Sequence, residues 1–464
     1  MEAGRLDDLA GKRVTVVGLG IEGVDIARYL CRRGAEVTIS DSKPAGKLGD
    51  RIRELEGLPV RLALGGGQAQ EIEKAEALFV SQGVPLDMPA LAAARARGVP
   101  LRSMMGLFLE LCPGPIAGIT GSSGKTTTTA LLRQIFEADE RPVVMGGNIG
   151  VGLLEQLPLI RPYTWSVLEI SHSQLQLVKR SPHVAVITNI RPDHLDRFSW
   201  DDYRELKANL IRYQTTGDIA VLNYDDSECR VRRPLVRGEL MWFSMGKDVP
   251  GSGVFVRDGW AVARCKKLEE RFFPLAGLRL RGEHNQANAL AAAAAAMASG
   301  IQPDAIAYAV ATFRGVEHRL EFVGEADGVS YYNDSIATTP ERTVAGLHSF
   351  KEPVVLLLGG RDKNLPLEGL VEAARRRCRA VILFGEAAPK LQQAFASQTK
   401  PPVRRFGTLD EAVAAARRTA RPGDVVLLSP ACTSYDAYDN FERRGEHFRS
   451  LVRPLAQEVQ PSPK

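Results

Sequence analysis

The sequence predicts an α/β protein of three domains whose sheets are mostly parallel and flanked by helices. Three observations carry this reading. Strand, glycine turn and helix alternate from one end of the chain to the other, the pattern of parallel sheets with crossover helices. At 464 residues the chain is too long for one ordinary core and suggests about three domains. One strand–helix junction, from Gly118 to Thr127, has the composition of a phosphate-binding loop.

The first region opens with a strand, Arg13–Val17, then Gly18-Leu19-Gly20-Ile21-Glu22-Gly23 and a helix reaching about Arg33. A second strand over 36–40 ends at Asp41. Gly18, Gly20 and Gly23 complete a G-x-G-x-x-G after a strand, and Asp41 stands at about the spacing of a ribose ligand, so the region reads as Rossmann-like. A ligand-free tight turn would satisfy the same glycines. The separate phosphate loop further on favours a nucleotide-containing ligand other than NAD. A strand over Ala77–Val80 runs into Ser81-Gln82-Gly83-Val84-Pro85, and a helix follows over 90–97. Cys112-Pro113-Gly114-Pro115 makes the linker that closes a domain over 1–112.

In the central region, 113–314, Pro115-Ile116-Ala117 reads as a buried strand. Residues 126–137 read as a helix with Leu131, Leu132, Ile135 and Phe136 on its apolar face. The loop between them, through Gly121-Ser122-Ser123-Gly124, can close backbone N–H groups around phosphate oxygens at the positive end of the helix dipole. Lys125 is placed to reach the β- and γ-phosphates, and the Thr126 hydroxyl to bind Mg²⁺. A strict phosphate loop has a further glycine where Ile119 stands, so the run fits a G-x-x-G-x-x-G-K-T-T variant and predicts a P-loop-type ATP site.

Strands over 165–168 and 184–188 end at Glu169 and at Asn189-Ile190-Arg191-Pro192-Asp193-His194-Leu195-Asp196, and parallel sheets gather ligand-facing groups at their carboxyl ends. Glu169 there suits Mg²⁺, and His194 between Asp193 and Asp196 suits a site; a capping glutamate and a structural histidine are the plain alternatives. A strand over 143–145 leads into Gly146-Gly147-Asn148-Ile149-Gly150. Lys207, in a polar helix over 201–213, reads alone as a solvated lysine. Residues 239–282 read as an antiparallel side sheet. Asn285 and Asn288 open an alanine-rich helix over 284–299, where capping is their ordinary role, and Gly315 marks the next boundary.

The third region, 315–464, is again Rossmann-like. It opens with a hairpin turning at Asp327-Gly328 and continues with strands over 354–358, 380–384, 403–406 and 425–428. Polar clusters follow its strands: Asn333-Asp334-Ser335, Gly359-Gly360-Arg361-Asp362-Lys363 and Ser429-Pro430-Ala431-Cys432-Thr433-Ser434. Arg319 is an anion clamp or a plain surface charge.

Composition narrows the classes. With 44% hydrophobic and 25% charged residues the chain has ample material for globular cores. A net charge of +5 and the lack of a basic run argue against nucleic acid as a partner. No apolar stretch approaches a membrane span, and the first residues carry no signal-peptide pattern. The six cysteines lie far apart with no CxxC pair, so reduced thiols in the cytoplasm are the simplest reading.

In this order the segments resemble the Mur ligases of peptidoglycan synthesis, over essentially the whole chain. The family pattern T-G-T-N-G-K-T-T is matched by Thr120 to Thr127, with Ser123 at the Asn position. L-E-[LI]-S-S-F-Q-L is matched by Leu168 to Leu175, and N-x-x-x-D-H-x-D-R by Asn189 to Arg197. The resemblance is nearest to the branch that adds glutamate to UDP-N-acetylmuramoyl-L-alanine in the bacterial cytoplasm, with the D-isomer expected. It implies a monomeric ATP-dependent ligase with two Mg²⁺ sites and no nucleic-acid or membrane partner.

The resemblance also implies residue roles. The first domain would hold the UDP-sugar through Gly20, Ile21, Glu22, Asp41, Ser42, Lys43 and Ser81, with Asn148 and His194 reaching the muramoyl substrate or its metal. Gly121, Ser122, Ser123, Gly124, Lys125, Thr126 and Thr127 would serve ATP, and Asn285, Asn288, Arg319 and Asp334 would position it. Thr338, Lys363, Ser434 and Phe441 would receive glutamate. Tyr203 to Lys207 matches a Y-x-x-x-K segment whose lysine is carbamylated, which adds Lys207 to Thr126, Glu169 and His194 as metal ligands. Lys125, Glu169, His194 and Lys207 form the catalytic set.

Two departures matter. Glu22 stands where the family usually has Ser or Thr, and the lysine of N-D-S-K-A-T is Ile336, which removes a cation between the nucleotide and amino-acid sites. A folylpolyglutamate synthase shares the central and C-terminal chemistry but lacks a separate N-terminal domain. A noncatalytic relative is the alternative raised by Ile336.

Overall fold

The computed structural model describes residues 9–149, 152–193, 197–246, 248–279, 282–396 and 400–457. Among them the chain forms three sheets. The first contains β1 (Arg13–Val17), β2 (Glu36–Asp41), β3 (Val60–Leu64), β4 (Ala77–Val80) and β5 (Leu101–Arg102), in the order β3-β2-β1-β4-β5. All its pairings are parallel. β4 is buried at every position, as a strand covered on both faces must be, and its ALFV sequence supplies no polar side chain to expose. Strand order reverses between β1 and β4, which opens a crevice at the carboxyl ends of those strands.

The second sheet holds β6 (Ile116–Thr120), β7 (Val143–Gly147), β8 (Trp165–Glu169), β9 (Val184–Ile187), β10 (Ile219–Asn223), β11 (Glu239–Ser244), β12 (Gly253–Arg257), β13 (Trp260–Cys265) and β14 (Leu268–Pro274). Their order is β14-β13-β12-β11-β10-β9-β6-β8-β7, which makes β6 the switch point. The expected side sheet is instead the far edge of this same sheet. β11 pairs parallel with β10, and β12 parallel with β11; only β13 and β14 run antiparallel. The helix Ser227–Val231 lies in the crossover from β10 to β11 and keeps the direction of the chain. Asp258 and Gly259, at φ +49° and +75°, make the first two-residue reversal, from β12 into β13.

β15 (Glu321–Ala326), β16 (Val329–Asn333), β17 (Val354–Gly359), β18 (Cys378–Phe384), β19 (Val403–Arg405) and β20 (Val425–Ala431) form the third sheet, ordered β15-β16-β20-β17-β18-β19. The β15–β16 hairpin turns at Asp327-Gly328 as expected, with φ of +53° and +72°, and the other pairings are parallel.

Two compact units result. One holds the residues up to Gly277 together with Gln286–Ala311; the other holds Leu278–Asn285 and the residues from Thr312 on. The first unit contains the first two sheets, and a single apolar core runs between them, from Val16 and Phe108 to Leu168 and Ile187. A polar seam accompanies it: the buried Asp25 carboxylate accepts from Leu154 N at 2.9 Å and Glu155 N at 3.1 Å. In the helix Glu283–Ala298, residues 289–296 are wholly buried, and all but Leu290 are alanine. Among the described residues no helix is long and apolar enough to cross a membrane.

Candidate active site

The phosphate-loop sequence lies between β6 and the helix Lys125–Ala138. Gly124 precedes that helix at φ +84°, and a methyl group there would lie 2.2 Å from Asn288 Oδ1. At Gly121 a methyl would lie 1.9 Å from Thr188 Oγ1. Backbone shape and neighbouring side chains both demand glycine at position 124. The end of β9 braces the loop. Thr188 Oγ1 donates to Ser123 O at 2.6 Å, while Asn189 receives Ser122 N on its carbonyl and Ser123 N on Oδ1, each at 3.0 Å. Lys125 Nζ donates to the carbonyls of Gly121 (2.9 Å) and Ser122 (3.3 Å), which keeps its charge against the loop. An ammonium and the N–H groups of a first helical turn suit a polyanionic phosphate.

Glu169 ends β8, paired with Ile119 of β6, so it stands beside the loop. It is buried; its Oε1 accepts from Asn148 Nδ2 at 3.0 Å, and among the described residues Oε2 has no hydrogen-bond partner. An ionised oxygen buried without a donor is costly and is relieved by a cation. Together with the Thr126 hydroxyl this donor set fits Mg²⁺. His194 and Asp196 lie outside the described residues.

The helix Trp200–Arg212 starts at Ser199, whose side chain accepts from Asp202 N. Tyr203 and Lys207 are one turn apart and both face inward. Tyr203 Oη lies 3.2 Å from Ser122 Oγ, and Lys207 Nζ sits 4.7 Å from the Tyr203 ring centroid. Lys207 is 1% exposed, so it is not the solvated lysine that its polar helix suggests. Burial, then the charge of Lys125, push its ammonium down to about 7, with Asp193 pulling the other way.

At the carboxyl ends of β1, β2 and β4 the first-domain residues come together. Nothing lies within 4 Å of a methyl group built on Gly20, whereas one on Gly23 would meet Gly18 O at 2.1 Å. The Asp41 carboxylate accepts from Leu19 N and Lys43 N, both at 2.8 Å, and Ser81 Oγ donates to Gly18 O at 3.0 Å. Ile21, Ser42 and Lys43 are exposed around this turn. Glu22 is buried: Gln174 Nε2 donates to it at 2.8 Å and Gln82 N at 2.9 Å, and burial raises its pKa. Its carboxylate thus ties the glycine turn to the segment that follows β8.

In the second unit, Asp334 is buried behind Ser429 Oγ (2.7 Å) and Leu320 N (3.2 Å), which both donate to its carboxylate. Burial pushes its pKa up to about 7, against the pull of those donors and of Arg319 and Arg342. Lys363 Nζ donates to Thr338 Oγ1 at 3.2 Å. Ser434 is buried, and its carbonyl accepts from Ala437 N and Tyr438 N. Phe441 O accepts from Ser335 Oγ at 2.8 Å, and its ring meets His318 edge-on. Asn285 belongs to this unit, and Asn288, against Gly124, to the first.

Three family models cover most of the chain: "Mur ligase MurD-like, N-terminal domain" over 12–103, "Mur ligase middle domain" over 119–296 and "Mur ligase, glutamate ligase domain" over 318–432. A UDP-N-acetylmuramoylalanine–D-glutamate ligase of Symbiobacterium thermophilum is 43% identical over 96% of this chain and 98% of its own length. That of Acidobacterium capsulatum is 41% identical over 96% and 97%. The chain belongs to the Mur ligase family. Among solved structures, the fold of this Mur ligase matches the UDP-N-acetylmuramate–alanine ligase of Thermotoga maritima at TM-score 0.54 and 19% identity, over 96% and 99% of the two chains.

Motif reading of this Mur ligase left several residues without a role. Arg444 is fully buried, with Nε on Ser335 Oγ, Nη1 on Gly359 O and Thr433 O, and Nη2 on Ser335 O and Cys432 O. It stitches together the ends of β16, β17 and β20, from which Thr338, Lys363 and Ser434 follow. An arginine next to Arg443 in a charge-rich helix gives no sequence signal for that. Thr188, directly after β9, carried one: it precedes the Asn189 motif.

Proposed function

We propose that this Mur ligase joins D-glutamate to UDP-N-acetylmuramoyl-L-alanine while converting ATP to ADP and phosphate. The near-full-length likeness to ligases of that name carries the reading. A carboxylate is a poor electrophile in water, and phosphorylation cures this. An oxygen of the alanyl carboxylate attacks the γ-phosphorus, ADP leaves, and an acyl phosphate remains. The amine of glutamate then attacks the acyl carbon, loses a proton, and phosphate departs as the amide forms.

Most of the protein's contribution is position and charge. Lys125 neutralises the β- and γ-phosphates, with Asn285, Asn288, Arg319 and Asp334 positioning the nucleotide. Gly20, Ile21, Asp41, Ser42, Lys43 and Ser81 hold the UDP-sugar, and Glu22 braces their turn from behind. Thr338, Lys363, Ser434 and Phe441 receive glutamate. Thr126, Glu169, His194 and Lys207 would hold two Mg²⁺ ions, which when bound neutralise charge on the phosphoryl group. A neutral Lys207 amine adds to CO₂ and releases a proton, and the resulting carbamate is an anionic ligand; its burial beside Lys125 supports this. The working domains are 1–112, 113–314 and 315–464.

The test is phosphate release. It should require ATP, UDP-N-acetylmuramoyl-L-alanine and D-glutamate together. Release with the L-isomer alone would replace the stereochemistry, and release without the muramoyl substrate would overturn the assignment.

A further inference from the structure

Arg319 sits in a turn that a polypeptide backbone adopts reluctantly. His318 before it and Leu320 after it have φ of +62° and +45°, in the left-handed region that β-carbon sterics disfavour, for a bulky leucine above all. Among the described residues no other two non-glycine positions of this kind stand so close together. The turn exposes Arg319 while His318 is buried and Leu320 half-buried. Burial, then the charge of Arg319, lower the pKa of His284, the residue before Asn285 in this unit. The same charge acts on Asp334. Arg319 is thus held near two residues assigned above to the nucleotide.

The turn is tied down on every side. Glu321, the first residue of β15, accepts on Oε2 from His318 N at 2.8 Å and Asn333 Nδ2 at 3.1 Å, and on Oε1 from Arg449 Nε at 2.8 Å. Asn333 Nδ2 also lies 2.9 Å from His318 Nδ1. The Arg449 and Glu321 side chains are 12% and 13% exposed, so their ion pair is largely shielded from water. Ile336 N donates to His318 O at 3.1 Å, and Leu320 N to Asp334 Oδ1 at 3.2 Å. The helix Phe441–Gln457 closes over the imidazole: a methyl group on Gly445 would lie 2.1 Å from His318 Nδ1. Backbone this disfavoured persists only where its surroundings over-determine it, and such turns gather at ligand clamps. We propose that Glu321 is a positioning residue for the nucleotide: fixed by Arg449 and Asn333, it holds through His318 N the turn that presents Arg319. The inference rests on the nucleotide role of Arg319 proposed above. A guanidinium whose backbone is set in advance loses less freedom when its anionic partner arrives.

The experiment measures KM for ATP and for UDP-N-acetylmuramoyl-L-alanine in the wild type, Arg319→Ala, Glu321→Gln, Glu321→Ala and the double variant Arg319→Ala/Glu321→Ala. Arg319→Ala should raise the ATP KM about tenfold or more, and Glu321→Ala about fivefold or more, with the KM of the UDP-sugar within about twofold of wild type. Glu321→Gln keeps one acceptor oxygen and should fall between wild type and Glu321→Ala. The double variant should be no worse than Arg319→Ala within about twofold, because a turn without its guanidinium has nothing left to position. A merely structural glutamate would instead give losses that multiply. Such multiplication overturns the inference, as does an unchanged ATP KM in a folded Glu321→Ala protein or an equal loss for both substrates. If Glu321→Ala does not fold, Glu321→Gln carries the same cycle. An unchanged ATP KM in Arg319→Ala would overturn the nucleotide role of Arg319 itself.

Discussion

Lys125 and Lys207 lie at the same end of the central sheet, and their surroundings differ: one is held by loop carbonyls, the other is buried. Lys125 is bonded to loop carbonyls and packs against no core, so Lys125→Ala should fold normally and lose phosphate release by about 10²–10³-fold or more, the usual scale for one clamp on transition-state charge. Near-normal turnover with an unchanged melting temperature would remove the phosphate-loop assignment. Lys207→Ala should be nearly inactive and regain part of its rate with a short carboxylic acid; full rate in CO₂-depleted buffer would exclude the carbamate. Asp334 gives a pH signature. Its folded pKa of about 7 lies above the ordinary carboxylate value, so the folded state keeps a proton that the unfolded chain has lost between roughly pH 4 and 7. Stability from this residue therefore declines as pH rises through that window. Asp334→Asn, which mimics the protonated acid, should match the wild type in melting temperature at pH 4 and exceed it at pH 8. A gap independent of pH would contradict the burial argument.

At the scale of elements, two glycines of one turn separate ligand from fold. Gly20 has open space around it, so Gly20→Val should leave melting unchanged while weakening the UDP-sugar far more than ATP. Gly23→Val would drive carbon toward Gly18 O and should destabilise the whole turn. Equal ligand losses in a folded Gly20→Val protein would break the division of labour. The turn itself was legible in the sequence, as were the hairpin at Asp327 and the strand-end positions of Glu169, Asp334 and Lys363, because local rules of strand, turn and helix decide them. The direction of β11 and β12 was not, since parallel or antiparallel pairing depends on a crossover rather than on alternation. Nor were the burial of Lys207 and the partners of Glu22, Asp25 and Arg444. Gln174 meets Glu22 across 152 positions of sequence, and Ser335 meets Arg444 across 109. No local period encodes such pairs.

For the whole molecule, the three family regions group into two compact units, with the first two sheets sharing one core. Calorimetry should resolve two unfolding transitions, and Asp25→Ala, which removes the acceptor for Leu154 N and Glu155 N, should lower only one of them by about 1–3 kcal/mol. A uniform shift of both transitions would mean that the units unfold as one. The alanine helix of the first unit has a further consequence, at the level of the gene. Each alanine in 289–296 is fully enclosed, and one base change at the second codon position turns alanine into valine. That change adds two carbons where no space is left, at a cost of about 1–3 kcal/mol. Third-base changes in those codons are silent, but second-base changes to valine should accumulate as heat-sensitive alleles, making this stretch a natural source of conditional mutants.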